Sequence, residues 1–550
     1  MKKITLLVMV VIALVAGSLL VSDATSAKKT KAPFNGLGKV LVQGSPIHGS
    51  NGIMFDENDM LYIASAVGRE IMIMDPKSGS IIDRLDTADG VQAPDDLAFG
   101  PDGSLYWTDI LTGCVSRLDP EGNLSTQFVA LGVNPITFSD DGRLFVALDF
   151  LGDGLYELDP NLVSSPTLIS TDWLGFLNGM DFGPDGLLYC PVWTEGRVVS
   201  IDVDAVPLEM VTVAEGFGIP AAVKFNSHGD LYVVDHMTGE ILRVDVETGN
   251  KEIIATGLGG LDNLAFDSHD RLFVSQAQDG SIHQVLSSGK MRTVSKDGMT
   301  APGGVAIMPN SDGGESVFVG DLWTLREFDG RTGRPISIYH HYLGVPGITS
   351  PQTVSTYGDN LILSSWFSNE VQVWNPETGT VVDDYPAFAV PLNAIGFQGD
   401  IVVAELMTGS VVRASDNSTI ATGLLVPTGL AATEDDLWVC EWATGIVYQI
   451  VTDGAPTMTP VATGLSYPEG LAVNLDGSLL VVESGVGQLS RIDLDNNTVS
   501  IVVDDLELGA EGVPGYPPTW GFSGVAVGST GYIYVTGDIG NALYRFKPTR

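Results

Sequence analysis

Six residues recur at nearly even spacing through the first half of the chain, each one place before a short apolar run: Asn51, Asp95, Asn134, Asn178, Ala221 and Asp262. Five of the six end in a carboxylate or amide oxygen. These are the hard donors that Ca²⁺ accepts at flexible coordination number. A fold that gathered them would make a cage for a divalent cation, and the expected site is Asn51, Asp95, Asn134, Asn178 and Asp262. A single Asn or Asp before a strand more often just satisfies local backbone groups in a turn; recurrence at one place in a repeat is what points to metal. Two histidines are candidate catalytic bases beside such a cation: His48 in IHGSNG and His236 in VVDHMTG, either of which could take a proton from water.

The equivalent positions of the second half are Gly303, Gln352, Asn393, Thr428, Glu469 and Ser523, a poorer set of donors. Its candidates are Asn393 and Glu469, with Glu405, Glu441 and Glu483 in VVAELMTG, WVCEWATG and LLVVESG. Carboxylates sharing one dry cavity would raise each other's pKa and suit acid–base work or a second cation. The alternative is that each hydrogen-bonds the backbone of a neighbouring blade or faces water. Trp323, Trp366 and Trp442 lie at the same level, as inter-blade core or as a ligand platform.

The element that must position these residues is a repeat, seen most plainly in FGPDGSLYWTDILTGCVSRLDP (99–120). Glycine-bearing turns separate short alternating strands, and helical periodicity is nowhere sustained. Twelve anchors between residues 51 and 523 place successive units about 43 residues apart, the length of a four-stranded propeller blade. Twelve blades exceed a usual ring, so an all-β protein of two tandem six-bladed β-propellers is expected. The phase of the strands suggests where to divide it. KVLVQG (39–44) would close the first ring against SIHQVL (281–286), and KMRTVS (290–295) would close the second against ALYRFK (542–547). The expected domains are therefore 33–288 and 289–550, preceded by 1–27. That leader, with Lys2-Lys3, an apolar run from Ile4 to Val21 and small residues at Ala24 and Ala27, reads as a cleaved signal peptide or else as an N-terminal anchor. The expected location is periplasmic or extracellular, with no stable membrane insertion unless the leader is retained.

A formal charge of −41, from 68 acidic and 27 basic residues, would repel phosphate backbones and excludes nucleic acid as a partner. The three cysteines lie inside strand-like segments without CxxC spacing and are expected to be buried free thiols. There is no GxxxxGK[ST], HExxH, GxSxG or βαβ GxGxxG motif, which argues against nucleotide-dependent and serine-hydrolase chemistry.

The units HGSNGIMFDENDMLYIAS, APDDLAFGPDGSLYWTD, LNGMDFGPDGLLYCPVW and YPEGLAVNLDGSLLVVES resemble those of the SMP-30/gluconolactonase/LRE-like propellers and, more loosely, NHL-repeat and strictosidine-synthase-like ones. The resemblance implies a divalent metal, often Ca²⁺, held by a Glu of the first blade, an Asn each of the third and fourth, and an Asp of the fifth, polarising a lactone, ester or phosphoester. Asn134 and Asn178 match the two asparagines. Asn51 stands in place of the Glu and Ala221 in place of the Asp, and Asp95 and Asp262, one blade away from each, are the candidates to restore the charge. The activity so implied is that of a secreted metal-dependent hydrolase acting on a small-molecule lactone or ester. The alternatives are a non-catalytic scaffold for a protein or glycan ligand and a propeller lyase using the second ring's glutamates.

Overall fold

The computed structural model describes residues 38–547 apart from 171–173, 258 and 311; the leader 1–27 lies outside the described residues. Among the described residues no helix is long and apolar enough to cross a membrane.

The repeat folds as its turns dictate. Pro94–Phe99, Leu105–Asp109, Cys114–Leu118 and Leu124–Phe128 form one antiparallel sheet. In its first turn Asp102 accepts the Ser104 N–H at 3.0 Å, and Gly103 takes φ +82°, the left-handed conformation that favours glycine. Leu105–Asp109 is buried throughout, whereas Leu124–Phe128 alternates towards solvent. Inner strands are thus covered on both faces by neighbouring blades and outer ones on a single face.

Twelve four-stranded sheets of this kind occur among the described residues. They divide into two compact units, Ser45–Gly298, and Met299 onward together with the segment ending at Gly44. Within each unit the innermost strands contact in cyclic order. Ile53–Phe55 meets Leu261–Phe266 in the first unit, and Pro302–Pro309 meets Val525–Val527 in the second, so each unit is a closed six-bladed propeller.

In the ring 45–298 every blade interface carries an aromatic pair, a second-strand ring of one blade against a first-strand ring of the next. These are Tyr62–Phe99, Tyr106–Phe138, Phe145–Phe182, Tyr189–Phe225, Tyr232–Phe266 and Phe273–Phe55, all with centroids 4.9–5.2 Å apart. Such pairs contribute roughly 0.5–1.5 kcal/mol each beyond their buried area.

Ring closure differs from the sequence expectation. Gly38–Gln43 pairs with Ala542–Phe546, and Met291–Ser295 completes its own blade beside Ile282–Val285. The segment expected to close the first ring therefore closes the second, and the division falls at 44/45 and 298/299 rather than at 288/289. Residues 45–298 are an insertion between a strand and the rest of its ring. The reason is local: Ile282–Val285 and Met291–Ser295 are joined by a short turn, and closing that hairpin costs far less chain entropy than pairing with the chain's far end. The first ring then closes by packing, with Phe55 against Phe273 and the Ser275 hydroxyl donating to the Asn51 carbonyl at 2.6 Å. Cys190 and Cys440 are buried and Cys114 half-buried, all as free thiols.

Two perturbations should separate the rings. Deleting residues 1–44 should lower the stability of 299–550 alone, and Phe273→Ala should destabilise 45–298 by about 3–5 kcal/mol. Hydrogen exchange resolved by peptide checks this: loss of protection in Ala542–Phe546 for the first, and in both strands flanking the Phe55–Phe273 contact for the second.

Candidate active site

Two devices aim the predicted residues at the channel of the ring 45–298. The first is a β-bulge at the start of the first strand. Pro94 pairs with Asp109 and Leu97 with Trp107, leaving one residue extra between them, and the same irregularity falls at Val133/Ile136 and Leu261/Leu264. A bulge re-aims side chains. Of Asp95 and Asp96, Asp96 is consumed internally, accepting from Leu97 N, Ile136 N and the Asn263 amide; Asp95 is left facing the acidic group described below. Gly52 lets the neighbouring backbone approach, since a Cβ there would lie 2.6 Å from Asp95 O.

The second device is a carboxylate at the end of the second strand that receives the N–H groups of the loop entering the first strand. Asp109 accepts from Gln92 and Ala93, and Asp235 from Gly218 and Ile219. In the ring 299–550 the same duty falls to Asp321 (Thr300 and Ala301), Glu405 (Ala389), Glu441 (Val426), Glu483 (Ser466) and Asp538 (Gly509 and Ala510). Glu405, Glu441 and Glu483 therefore do not pool into one acid–base site. Each is spent on its own blade, the backbone-bonding alternative.

Around the first ring's channel the Asn134 amide reaches Asn178 Oδ1 at 3.4 Å, and Asn178 Oδ1 also accepts Gly179 N at 2.8 Å. Asn51 Oδ1 accepts Ala66 N at 3.3 Å, and the Asn51 side chain hydrogen-bonds Asp262. Asp95 and Asp262 are pushed up from the ordinary carboxylate range, first by burial and then by neighbouring carboxylates: Asp262 and Asp96 act on Asp95, and Asp96 acts on Asp262. Ala221 is buried and brings no donor. The chemistry of this set fits a hard divalent cation: amide and carboxylate oxygens only, with two carboxylates whose repulsion a cation would relieve.

The structure adds a residue that the sequence reading missed. Asp149 is fully buried; its Oδ1 accepts the Trp193 indole N–H and Phe150 N, both at 2.8 Å, and its Oδ2 is without a hydrogen bond. It lies one residue beyond the strand end where Asp109 and Asp235 hold their loops, a position taken here by Leu148, and in this blade Asp153 does that work, accepting from Leu174 N and Gly175 N. Asp149 is not spent on that loop. Burial lifts its carboxyl to about 7, against hydrogen bonds from Trp193 and Phe150 that pull it down, and Asp153 and Asp262 add to the rise. Phe150, held at φ +56°, and Phe176 flank the Trp193 ring at centroid distances of 5.6 and 6.0 Å and form an aromatic wall beside it. The doubled aspartate in LDFLGDG was the available sequence signal.

His236 is anchored at both ring nitrogens, Nδ1 to the Leu261 carbonyl at 2.8 Å and Nε2 to the Gln278 amide at 3.2 Å. His48 Nδ1 lies 4.0 Å from Glu70 Oε1. Asn393 Oδ1 accepts Leu430 N at 3.2 Å. Among the described residues one Asp/Asp/His group has donor atoms spaced for a metal, Asp59, Asp267 and His269. There Asp59 accepts from Ser268 N and Oγ, and Arg271 pairs with Asp267, so the group also ties two blades together at their first turns.

Residues 97–306 match the family described as SMP-30/Gluconolactonase/LRE-like region. The match runs from the first strand of the second blade through the rest of the ring 45–298 and into Pro302–Pro309. No curated protein matches the chain. Among solved structures, the chain is similar to a gluconolactonase from Xanthomonas campestris at 20% identity, over 43% of this chain and 85% of that one, with a TM-score of 0.36. It is also similar to two extracellular domains from B. thetaiotaomicron, each at 11% identity and TM-score 0.32. One is assigned to a one-component system (91% of this chain, 76% of that one) and the other to a hybrid two-component system (94% and 83%).

Asp149 makes the ring's stability depend on pH. Its folded pKa of about 7 stands above the ordinary 3.8, so the folded state keeps a proton that the unfolded chain releases, and stability falls as pH rises from about 4 to 7. In metal-free protein the loss attributable to this group is on the order of 4 kcal/mol. Asp149→Asn should flatten that part of the curve in denaturant titrations from about pH 4 to about pH 7.

Proposed function

We propose that the ring 45–298 is a metal-dependent hydrolase, with Ca²⁺ the fitting ion, acting on a lactone or ester. The observation that carries the reading is the meeting at one channel of Asn51, Asp95, Asn134, Asn178 and Asp262 with a buried carboxylate, Asp149, whose Oδ2 is spare. Those five residues would hold the ion, which when bound supplies a Lewis acid for the carbonyl oxygen.

The chain's own residues supply the rest. Asp149 Oδ2 accepts a proton from the attacking water, at a pKa near the operating pH, where a base is most effective. Trp193 and Phe150 fix Oδ1, so the spare oxygen keeps one orientation. The Phe150–Trp193–Phe176 wall excludes water from one side and offers an apolar surface to the acyl or ring portion of the substrate. His236, held at both nitrogens, positions the strand that carries Asp262 through the Leu261 carbonyl. The apolar leader supports export to a compartment where Ca²⁺ is plentiful. One observation favours a non-catalytic scaffold for a protein or glycan: Ala221 leaves the fifth position without a donor.

Turnover of a lactone and ester panel, with and without chelator, separates the readings. Activity abolished by chelator and restored by Ca²⁺ is expected; no turnover on any substrate favours the scaffold. Asn178→Ala should lower bound metal and activity together, and unchanged metal stoichiometry would overturn the ligand set. Asp149→Asn should cut kcat by about 10²-fold or more with metal content unchanged.

A further inference from the structure

One face of the ring 299–550 is built from the loops that enter its first strands and the turns between its second and third strands. Val345, Leu425, Tyr467, Val486 and Ile539 lie on it, each 38–62% exposed. Among the described residues, every other exposed large hydrophobic of the chain sits on an outermost strand or in a turn of an opposite face, and the corresponding face of the ring 45–298 carries none. Apolar side chains scattered singly over a surface are ordinary, whereas a contiguous patch marks an interaction site.

Four of these residues are joined. Tyr467 stacks on the half-buried Trp442 at a centroid distance of 4.2 Å, and Trp442 N donates to the carbonyl of Val426, next to Leu425, at 3.0 Å. Tyr467 also lies against Gly485, beside Val486, where a Cβ would run into its ring. Leu506 N donates to the Gly487 carbonyl at 2.8 Å, and a Cβ on Gly540, next to Ile539, would run into the Glu507 carboxylate. The patch thus runs over three consecutive blades. Its rim has one sign of charge. The loop after Thr498–Val503 carries Asp504, Asp505, Glu507 and Glu511, all exposed. No described Lys or Arg of this ring lies on the same face: Arg326 is buried against Asp321, and Arg413, Arg491 and Arg545 reach Gln398, Asp476 and the Gly330 carbonyl at the opposite one. Tyr467 is kept at φ +49°, a conformation costly for an aromatic residue.

We propose that this face docks a basic amphipathic peptide segment of a partner protein, its apolar side chains on Trp442, Tyr467 and Val486 and its Lys or Arg side chains towards the 504–511 loop. Rigid aromatic anchors among smaller apolar side chains are the anatomy of an interface core, and an acidic rim selects the charge of what lies beside it. A guanidinium would also find the face of Tyr467 turned away from Trp442. Other occupants match less of the surface. An anionic bilayer is repelled by the acidic loop. A second copy of this chain brings the same sign of charge, −41 overall. A neutral glycan would stack on the rings and leave the acidic loop unused.

The inference does not rest on the hydrolase reading. The test is selection of random dodecapeptides displayed on phage against the intact chain in about 0.15 M NaCl, followed by titration of the enriched peptides. Peptides that combine Lys or Arg with Leu, Phe or Trp are expected, binding one to one. Tyr467→Asn, which removes the ring and suits the left-handed backbone, and Val486→Asp should each weaken them at least about tenfold. Asp504→Lys should weaken them as well and flatten the dependence on salt. Leu475→Asp, at an exposed apolar position on the opposite face, should leave affinity unchanged, which separates docking here from general attraction to an acidic protein. All four side chains are exposed, and unchanged melting of each variant shows that affinity rather than folding has moved. Four outcomes would overturn the proposal: no enrichment; enrichment of acidic or uncharged peptides; affinity that Val486→Asp leaves intact; or self-association of the intact chain through Tyr467, which would make the occupant a second copy.

Discussion

Each interface of the ring 45–298 turns on the same contact, an aromatic ring from the second strand of one blade meeting an aromatic ring from the first strand of the next at about 5 Å. A lone four-stranded sheet has two faces to bury and cannot do so by itself. The contact fixes the spacing and rotation of neighbouring blades, and six of them in a cycle fix the channel. Because this ring has no strand from elsewhere in the chain pairing into its last blade, Phe273 against Phe55 is both an ordinary interface and the closure. The ring 299–550 closes instead through backbone pairing of Gly38–Gln43 with Ala542–Phe546. One chain thus uses two solutions to the problem of exposed sheet edges.

The channel positions inherit their geometry from that cycle. Six first strands converge on an axis, and a bulge at the head of several of them turns one residue inward. This is why residues as distant in sequence as Asn51, Asp95 and Asp262 interact, and why the site could be sought at one place in the repeat. The requirement for close approach at Gly52 belongs to the same constraint, since its N–H donates to Asp95 O at 2.7 Å.

The blades, their number and their strands were legible because periodic turns and alternating apolar residues are local properties. The partner of the terminal strand was not. Two closures use the same inventory of strands, pairing 39–44 with 281–286 in one case and with the chain's end in the other, and strand phase is identical in both. What distinguishes them is the entropy of a short hairpin against a long one, which no pattern displays. Within the site, Asn134 and Asn178 stood out by recurrence, whereas Asp149 did not, because it lies one residue past the strand end, where other blades carry Ile110, Trp193, His236 and Ala277 and no pattern recurs. Glu405, Glu441 and Glu483 show the converse. Their alignment in consecutive blades looked like a cluster and is three separate instances of that loop-holding bond.

The carboxylates of the two rings sort by how much of their bonding capacity the backbone takes up. An aspartate or glutamate at the end of a second strand that receives loop N–H groups is a structural anchor, and removing it would orphan buried donors. Where another residue assumes the duty, the carboxylate is released into a dry channel, where ionisation is costly and a proton or cation is the remedy. Asp153 holds the loop beside Asp149, and Glu483 holds the loop of the blade that carries Glu469, whose Oε2 accepts Ser523 N. The two rings share that logic but differ in its surroundings. Asp149 feels Asp262 and itself acts on Asp95, a group of buried carboxylates whose repulsion a cation would relieve. Glu469 lies on the wall of a cavity in the second ring, where burial and then the Asp538 carboxylate lift it above the ordinary range. The family match over 97–306 takes in most of the first ring and leaves most of the second outside it. The rings therefore differ in which buried acids act on one another: Asp95, Asp149 and Asp262 in the first, Glu469 and Asp538 in the second.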